Sequence, residues 1–235
     1  LAFKTLNEIR SKIQRDLDLE VEEFIQPLEM IEYINDAITL AEAKIIDLGL
    51  RDKYFFARTK LSIVQGAEDI ELPSNIYANK IVKLVYSNGT EIYPMKPMDR
   101  EKMFEEIELI NSAGSAPLIF YRYLIRNDTP GGEVIQIVPK ARQTLTDVIV
   151  CWYYRDANRL SADTDLCDLP EISIQFVYQY VRVRVYEKEK GASWLQAKQD
   201  LMKIEVDMLT TLQQQIADSD LTKVEQDFSA YEEHS

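Results

Sequence analysis

The sequence predicts an α+β fold: a helical bundle formed by the N- and C-terminal helices, a β-rich insertion, and an extended C-terminal tail. Three observations carry this. Apolar residues recur at intervals of three and four near both ends, at Ile31, Ile34, Ile38, Ala41, Ile45 and Leu48, and again at Trp194, Ala197, Leu201, Ile204 and Met208. Between them lie runs rich in aromatic and β-branched residues, broken by turn signals such as Asn88-Gly89. The last twenty residues, IADSDLTKVEQDFSAYEEHS, are acidic and polar. These features divide the chain into bundle segments at 1–52 and 156–215, an insertion at 53–155, and a tail at 216–235.

Each element follows from local chemistry. Thr5 to Leu17 predicts a first helix with a stripe at Leu6, Ile9, Ile13 and Leu17, and Thr5 with Glu8 fits a capping box. Pro27 to Gly49 predicts the organising helix. Proline suits its first turn, Glu29 and Glu32 sit at the positive end of the helix dipole, and Gly49 suits a left-handed C-terminal position. Its stripe is expected to pack against helices at 5–17 and 193–212. Then KYFFARTKLSIV reads as a strand, QGAED as a turn, IELP as a short strand, and KIVKLVYSNGTEIYPMK as a hairpin. Asp99 to Ile110 predicts a short acidic helix ended by SAGSAP. LIFYRYLIRN and VIQIVP flank the turn DTPGGE, and TLTDVIVCWYYRD is a last strand. Residues 172–186 fit either a helix or a strand. Val181, Val183 and Val185 alternate, but the segment is long for a strand, opens at Pro170 and ends in EKEKG, which favours a helix.

Composition narrows the function. The formal net charge is −13, which disfavours binding to nucleic acid or to anionic membranes. No apolar run reaches the length of a transmembrane helix, and LAFKTLNEIRSK lacks the apolar middle of a signal peptide. Cys151 and Cys167 are too few and too far apart for a disulfide scaffold or a zinc site, and a reducing compartment is the simplest reading.

Catalytic signals are poor. The only histidine, His234, stands next to the end of the tail, and no glycine-rich phosphate loop is present. No catalytic residue, metal ligand or cofactor is therefore assigned. DTDLCD, with Asp163, Asp165 and Asp168, offers clustered oxygens. Compared with a calcium loop, however, it has Asp168 where glycine is needed and Ile174 where glutamate is needed. Helix capping by Asp168 and turn formation by Asp163 and Asp165 explain it better. Arg182, Arg184, Lys188 and Lys190 form the densest basic run. It is either a solvated face or, at Arg182, Arg184 and Lys188, a contact with acidic neighbours such as other copies of the chain. In the tail, Leu221, Val224, Phe228 and Tyr231 are spaced three, four and three; the segment is either a plain solubilising tail or one that folds onto a partner through these anchors.

Four stretches carry a resemblance: FIQPLEMIEYINDAITLAEAKI, IELPSNIYANKIVKLVY, WYYRDANRLSADTDLCDLPE and the terminal QDFSAYEEHS. They resemble, in the same order, head-to-tail adaptor (connector) proteins of short-tailed double-stranded-DNA bacteriophages. The resemblance implies a helical bundle with an embedded β domain. It also implies a homo-oligomeric ring of roughly twelve copies docked beneath the portal protein. The C-terminal segment would reach the portal, the β insertion would face the tail proteins (nozzle or tail tube), and DNA would pass through the channel without specific binding. The expected location is the virion neck, after synthesis in the host cytoplasm, with no membrane contact. Two other classes stay open on the residues alone: a metal-dependent enzyme centred on DTDLCD, and a soluble α+β interaction module unrelated to virions.

Overall fold

The computed structural model describes residues 3–17, 25–99, 105, 122–129, 132–138, 141, 143–189 and 193–232, with side chains except at 127–129, 132–133 and 216–232. The fold is α+β, and the chain divides into two units, residues 1–54 with 157–235, and residues 55–156. Most of the predicted acidic helix at 99–110 lies outside the described residues.

The first unit holds helices α1 (Leu6–Asp16), α2 (Pro27–Asp47), α3 (Arg51–Tyr54), α4 (Glu171–Glu189) and α5 (Ser193–Glu232). Thr5 caps α1: its hydroxyl accepts the Glu8 N–H at 3.2 Å, and the Glu8 carboxylate accepts the Thr5 N–H at 2.8 Å. Pro27 occupies the first turn of α2. At the other end Gly49 takes φ +78°, the Gly49 N–H reaches the Ile46 carbonyl, and the Leu50 N–H reaches the Ile45 carbonyl. This pair of bonds is a Schellman closure, and Leu50 is buried beside it. The buried stripe of α2 is Met30, Ile34, Ala37, Ile38, Ala41 and Ile45; Ile31 and Leu48, its expected ends, are only half-buried.

The ambiguity over 172–186 resolves as helix, and the reason for it is visible. Helix α4 packs against α1, α2 and α5, so it is apolar on several sides and shows no clean amphipathic period. Residues two apart on a helix are about 200° apart. Successive residues of the Val181–Val185 run therefore serve different neighbours. Tyr178 lies under the Lys12 ammonium of α1 (4.6 Å to the ring centroid). Arg184 lies over Tyr33 of α2 (5.2 Å), and Lys188 pairs with Glu29 of α2 (2.5 Å). Gln179 donates to the Ala197 carbonyl of α5 (2.9 Å). The principal partner of the α2 stripe is thus α4, not the helices at 5–17 and 193–212 as expected from the sequence.

Helix α5 continues unbroken to Glu232, where the sequence reading expected an extended tail. Residues 213–232 contain neither proline nor glycine, so nothing in the backbone stops the helix that Ser193 begins.

The second unit contains two sheets. One has the order β2 (Phe56–Ile63), β9 (Leu145–Arg155), β4 (Ile76–Ser87), β5 (Ile92–Pro94); the other has β3 (Asp69–Glu71), β8 (Gly132–Val138), β7 (Arg122–Thr129), β6 (Lys96–Pro97). All described pairings are antiparallel except β6 with β7. One core joins the sheets, with Ile63, Leu84, Tyr86, Ile149 and Cys151 meeting Ile70, Ile135 and Ile137. The Asn88-Gly89 signal marks a real turn: Gly89 takes φ +90°, and the Asn88 side chain accepts the Thr90 and Glu91 N–H groups. The strands that leave and return are neighbours. Phe56 pairs with Tyr154, and the Arg155 N–H donates to the Phe55 carbonyl at 2.9 Å. A short ladder of β1 (Lys4–Thr5) with β10 (Leu166–Cys167) belongs to the first unit.

Candidate functional site

The segment 157–170 was the one place where the sequence offered metal-ligand chemistry. Two of its carboxylates are committed to the backbone instead, and a third to an arginine. Asp165 accepts N–H groups from Ser161 (2.7 Å) and Ala162 (2.8 Å) and the Ser161 hydroxyl (3.0 Å). These bonds hold its pKa below the ordinary carboxylate range, the backbone contributions being largest. Asp168 accepts the Asn158 N–H at 2.9 Å, and Asp163 pairs with Arg10 of α1 at 3.1 Å. Among the described residues, no group of three or more acidic, histidine or cysteine side chains could hold a metal ion. The segment works as a clasp. Leu6 and Asn7 N–H groups donate to the Asp165 and Asp163 carbonyls, which seats the start of α1 on it.

Two residues of α2 hold the other side of the clasp. Asn35 grips the backbone of Leu160 twice: its amide donates to the carbonyl at 2.9 Å, and its oxygen accepts the N–H at 2.8 Å. Glu42, only 4% exposed, accepts the Ala157 N–H at 2.8 Å and pairs with Arg159 at 2.9 Å. Helical periodicity puts Asn35 off the apolar stripe of α2 and says nothing of its partner. The available signal was the neighbourhood of Glu42: a carboxylate between Ala41 and Ile45 in an otherwise apolar stripe.

The basic run splits between two sides of α4. Arg182 is exposed, with its guanidinium 5.5 Å from the Tyr186 ring. Arg184 is half-buried, pairs with Glu187 at 3.0 Å and faces Tyr33; Lys188 ties α4 to Glu29. Tyr33 donates its hydroxyl to Glu29 at 2.6 Å, and burial, then this bond, push its pKa up to about 12. It is a hydrogen-bond donor at neutral pH, not an acid. The two thiols are equally inert: burial pushes Cys151 up to about 12 and Cys167 up to about 11.

The tail anchors Leu221, Val224, Phe228 and Tyr231 stand on the helical backbone of α5, and their side chains lie outside the described residues, as does His234. The last described contact before them is at Gln215, which accepts the Tyr54 hydroxyl at 2.6 Å. Along the described part of α5, Ala197, Met208 and Leu212 are buried, whereas Leu195, Met202 and Val206 are more than half exposed. No helix among the described residues is long and apolar enough to cross a membrane.

Among the described residues, the carboxylates with a shifted pKa have it lowered, and both thiols have theirs raised. What stands out is an exposed apolar row on a long helix and unequal charge on the two sides of α4. No curated protein matches the chain. The family described as SU10 adaptor protein matches residues 4–223. The chain therefore belongs to the SU10 adaptor family and is a phage head-to-tail adaptor protein, a structural and not a catalytic class.

Proposed function

We propose that the chain forms a ring of roughly twelve copies beneath the portal, links it to the tail, and surrounds the channel through which DNA passes. The observation that carries this reading is α5. One helix runs from the core contacts at Ala197 and Met208 on to Glu232. From Leu212 to Glu232 that is about 30 Å of helix. In this reading residues 216–235 dock on the portal, with Leu221, Val224, Phe228 and Tyr231 as the buried anchors. The second unit, residues 55–156, faces the tail proteins. Arg182, Arg184 and Lys188 lie at contacts between neighbouring copies. The net charge of −13 suits a channel lining that does not hold DNA. The protein then acts without a cofactor, in the virion neck.

The test is to mix the portal protein with the full chain and with a chain ending at Gln215, and to image the products. The full chain should form rings on the portal, and the shortened chain should remain folded and fail to attach. Equal attachment by both would refute the assignment of the tail as the docking element. A Phe228→Ala chain should attach measurably more weakly than wild type.

A further inference from the structure

We propose that neighbouring copies join by seating the acidic outer face of α2 from one copy in the cationic α1/α4 groove of the next. This rests on the ring reading above and names the surfaces that would build it. The groove has two adjoining cavities of about 420 and 170 Å³. Lys4, Lys12, Arg15 and Arg182 line it, and none of them is ion-paired among the described residues. Glu8, Asp16 and Glu171 also border it, but Glu8 is tied to the Thr5 cap. Lys12 and Arg182 rest on the rings of Tyr178 and Tyr186, but no described carboxylate pairs with either. Four cations against three bordering carboxylates leave the groove slightly positive, in a chain with 40 acidic residues and 27 basic ones. Such a surface selects an acidic partner.

The chain carries that partner surface itself. Glu32, Asp36 and Asp47 are exposed on α2 and have no ion-pair partner among the described residues. Leu40, 41% exposed, stands among them and supplies apolar area. The row from Glu32 to Asp47 is about 22 Å long, against about 16 Å for α1, which forms one wall of the groove. The cations on the α2 side of α4, Arg184 and Lys188, are already neutralised by Glu187 and Glu29, so that flank stays acidic.

The two surfaces sit on different sides of α4. Residues facing the groove, Tyr178 and Arg182, are on the turns opposite those facing α2, Tyr180 and Arg184. Two different patches on opposed flanks make a head-to-tail contact, and when its rotation closes such a contact builds a ring.

Charge reversal tests this. A groove variant, Arg15→Glu with Arg182→Glu, and a face variant, Glu32→Lys with Asp36→Lys, should each need roughly tenfold or more protein to assemble. Mixing the two should restore assembly, because every contact in an alternating ring is again complementary. Assembly is read by sedimentation and electron microscopy, alone and with the portal protein. Wild-type behaviour of either variant, or failure of the folded pair to rescue one another, overturns the interface. A wild-type chain that stays monomeric in both settings overturns the ring reading instead. As a second measurement, Arg182→Cys with Asp36→Cys in one chain should give a ladder of covalent oligomers with a short bismaleimide. A monomer band alone would also overturn the interface, since the native thiols are buried.

Discussion

Glu42→Ala is the sharpest perturbation of the clasp. The Glu42 side chain is 5% exposed, and the Ala157 N–H it accepts belongs to a residue only 2% exposed. Truncation leaves that N–H without a partner, at a cost of about 1–3 kcal/mol. Arg159 adds little to the loss, because its side chain is 42% exposed and can turn to water. The expected total is about 2–3 kcal/mol. Glu42→Gln keeps an oxygen for the N–H and removes only the charge, so about 1 kcal/mol or less is expected. Arg159→Ala should be costly in a different way, because it strands a buried carboxylate; adding Glu42→Gln to it should then recover stability. Urea unfolding followed by Trp194 fluorescence in a Trp152→Phe background reports the first unit alone, since Trp152 lies in the second. If Glu42→Ala costs under about 0.5 kcal/mol, or if glutamine costs as much as alanine, the N–H is not what Glu42 is there for.

Ile38→Asp places a charge at a fully buried position of α2 and should cost about 3–5 kcal/mol; wild-type-like thermal unfolding would contradict the packing described. Asp165 has a lowered pKa, so its contribution is complete above the ordinary aspartate value near ~4 and is lost as pH falls through the folded value below it. Asp165→Asn should therefore lower stability at neutral pH and flatten the acid limb, as followed by circular dichroism. Cys151 and Cys167 should resist an aromatic disulfide reagent at pH 8 in the folded protein and react in denaturant; fast reaction without denaturant would mean that the strands or the clasp open readily.

Periodicity made the helices near the chain ends legible, and turn chemistry made the strands between them legible. Thr5 with Glu8, Pro27, Gly49 and Asn88-Gly89 each do locally what their residue types allow, so sequence alone sufficed for them. Helix α4 was ambiguous because its surroundings, not its own backbone, decide its pattern: with neighbours on three sides, valines at every second position all become buried. The same cause moved the partner of α2 from the terminal helices to α4. The helical course of 216–232 was hidden by polarity, which indicates a weak core but says nothing against a helical backbone. Asn35 and Glu42 escaped notice because their partners, Leu160 and Ala157, are more than a hundred residues away in the chain. The docking proposed for the tail anchors depends on the surface of another protein, which the spacing of Leu221, Val224, Phe228 and Tyr231 does not describe.

The paired strands at the base of the second unit have a consequence for the first. Were the insertion unfolded, Tyr54 and Ala157 would be the ends of a floppy loop of roughly a hundred residues. Holding such ends together costs about 4 kcal/mol by the (3/2)RT ln n estimate. Folding of the insertion fixes Phe56 beside Tyr154 at strand spacing, about 5 Å, two and three residues inside those ends. The insertion thereby acts as a cross-link for the helices, lending them stability through chain entropy alone. Mutations in its core, at Ile135 or Cys151, should therefore lower the melting temperature of the helices in the first unit as well.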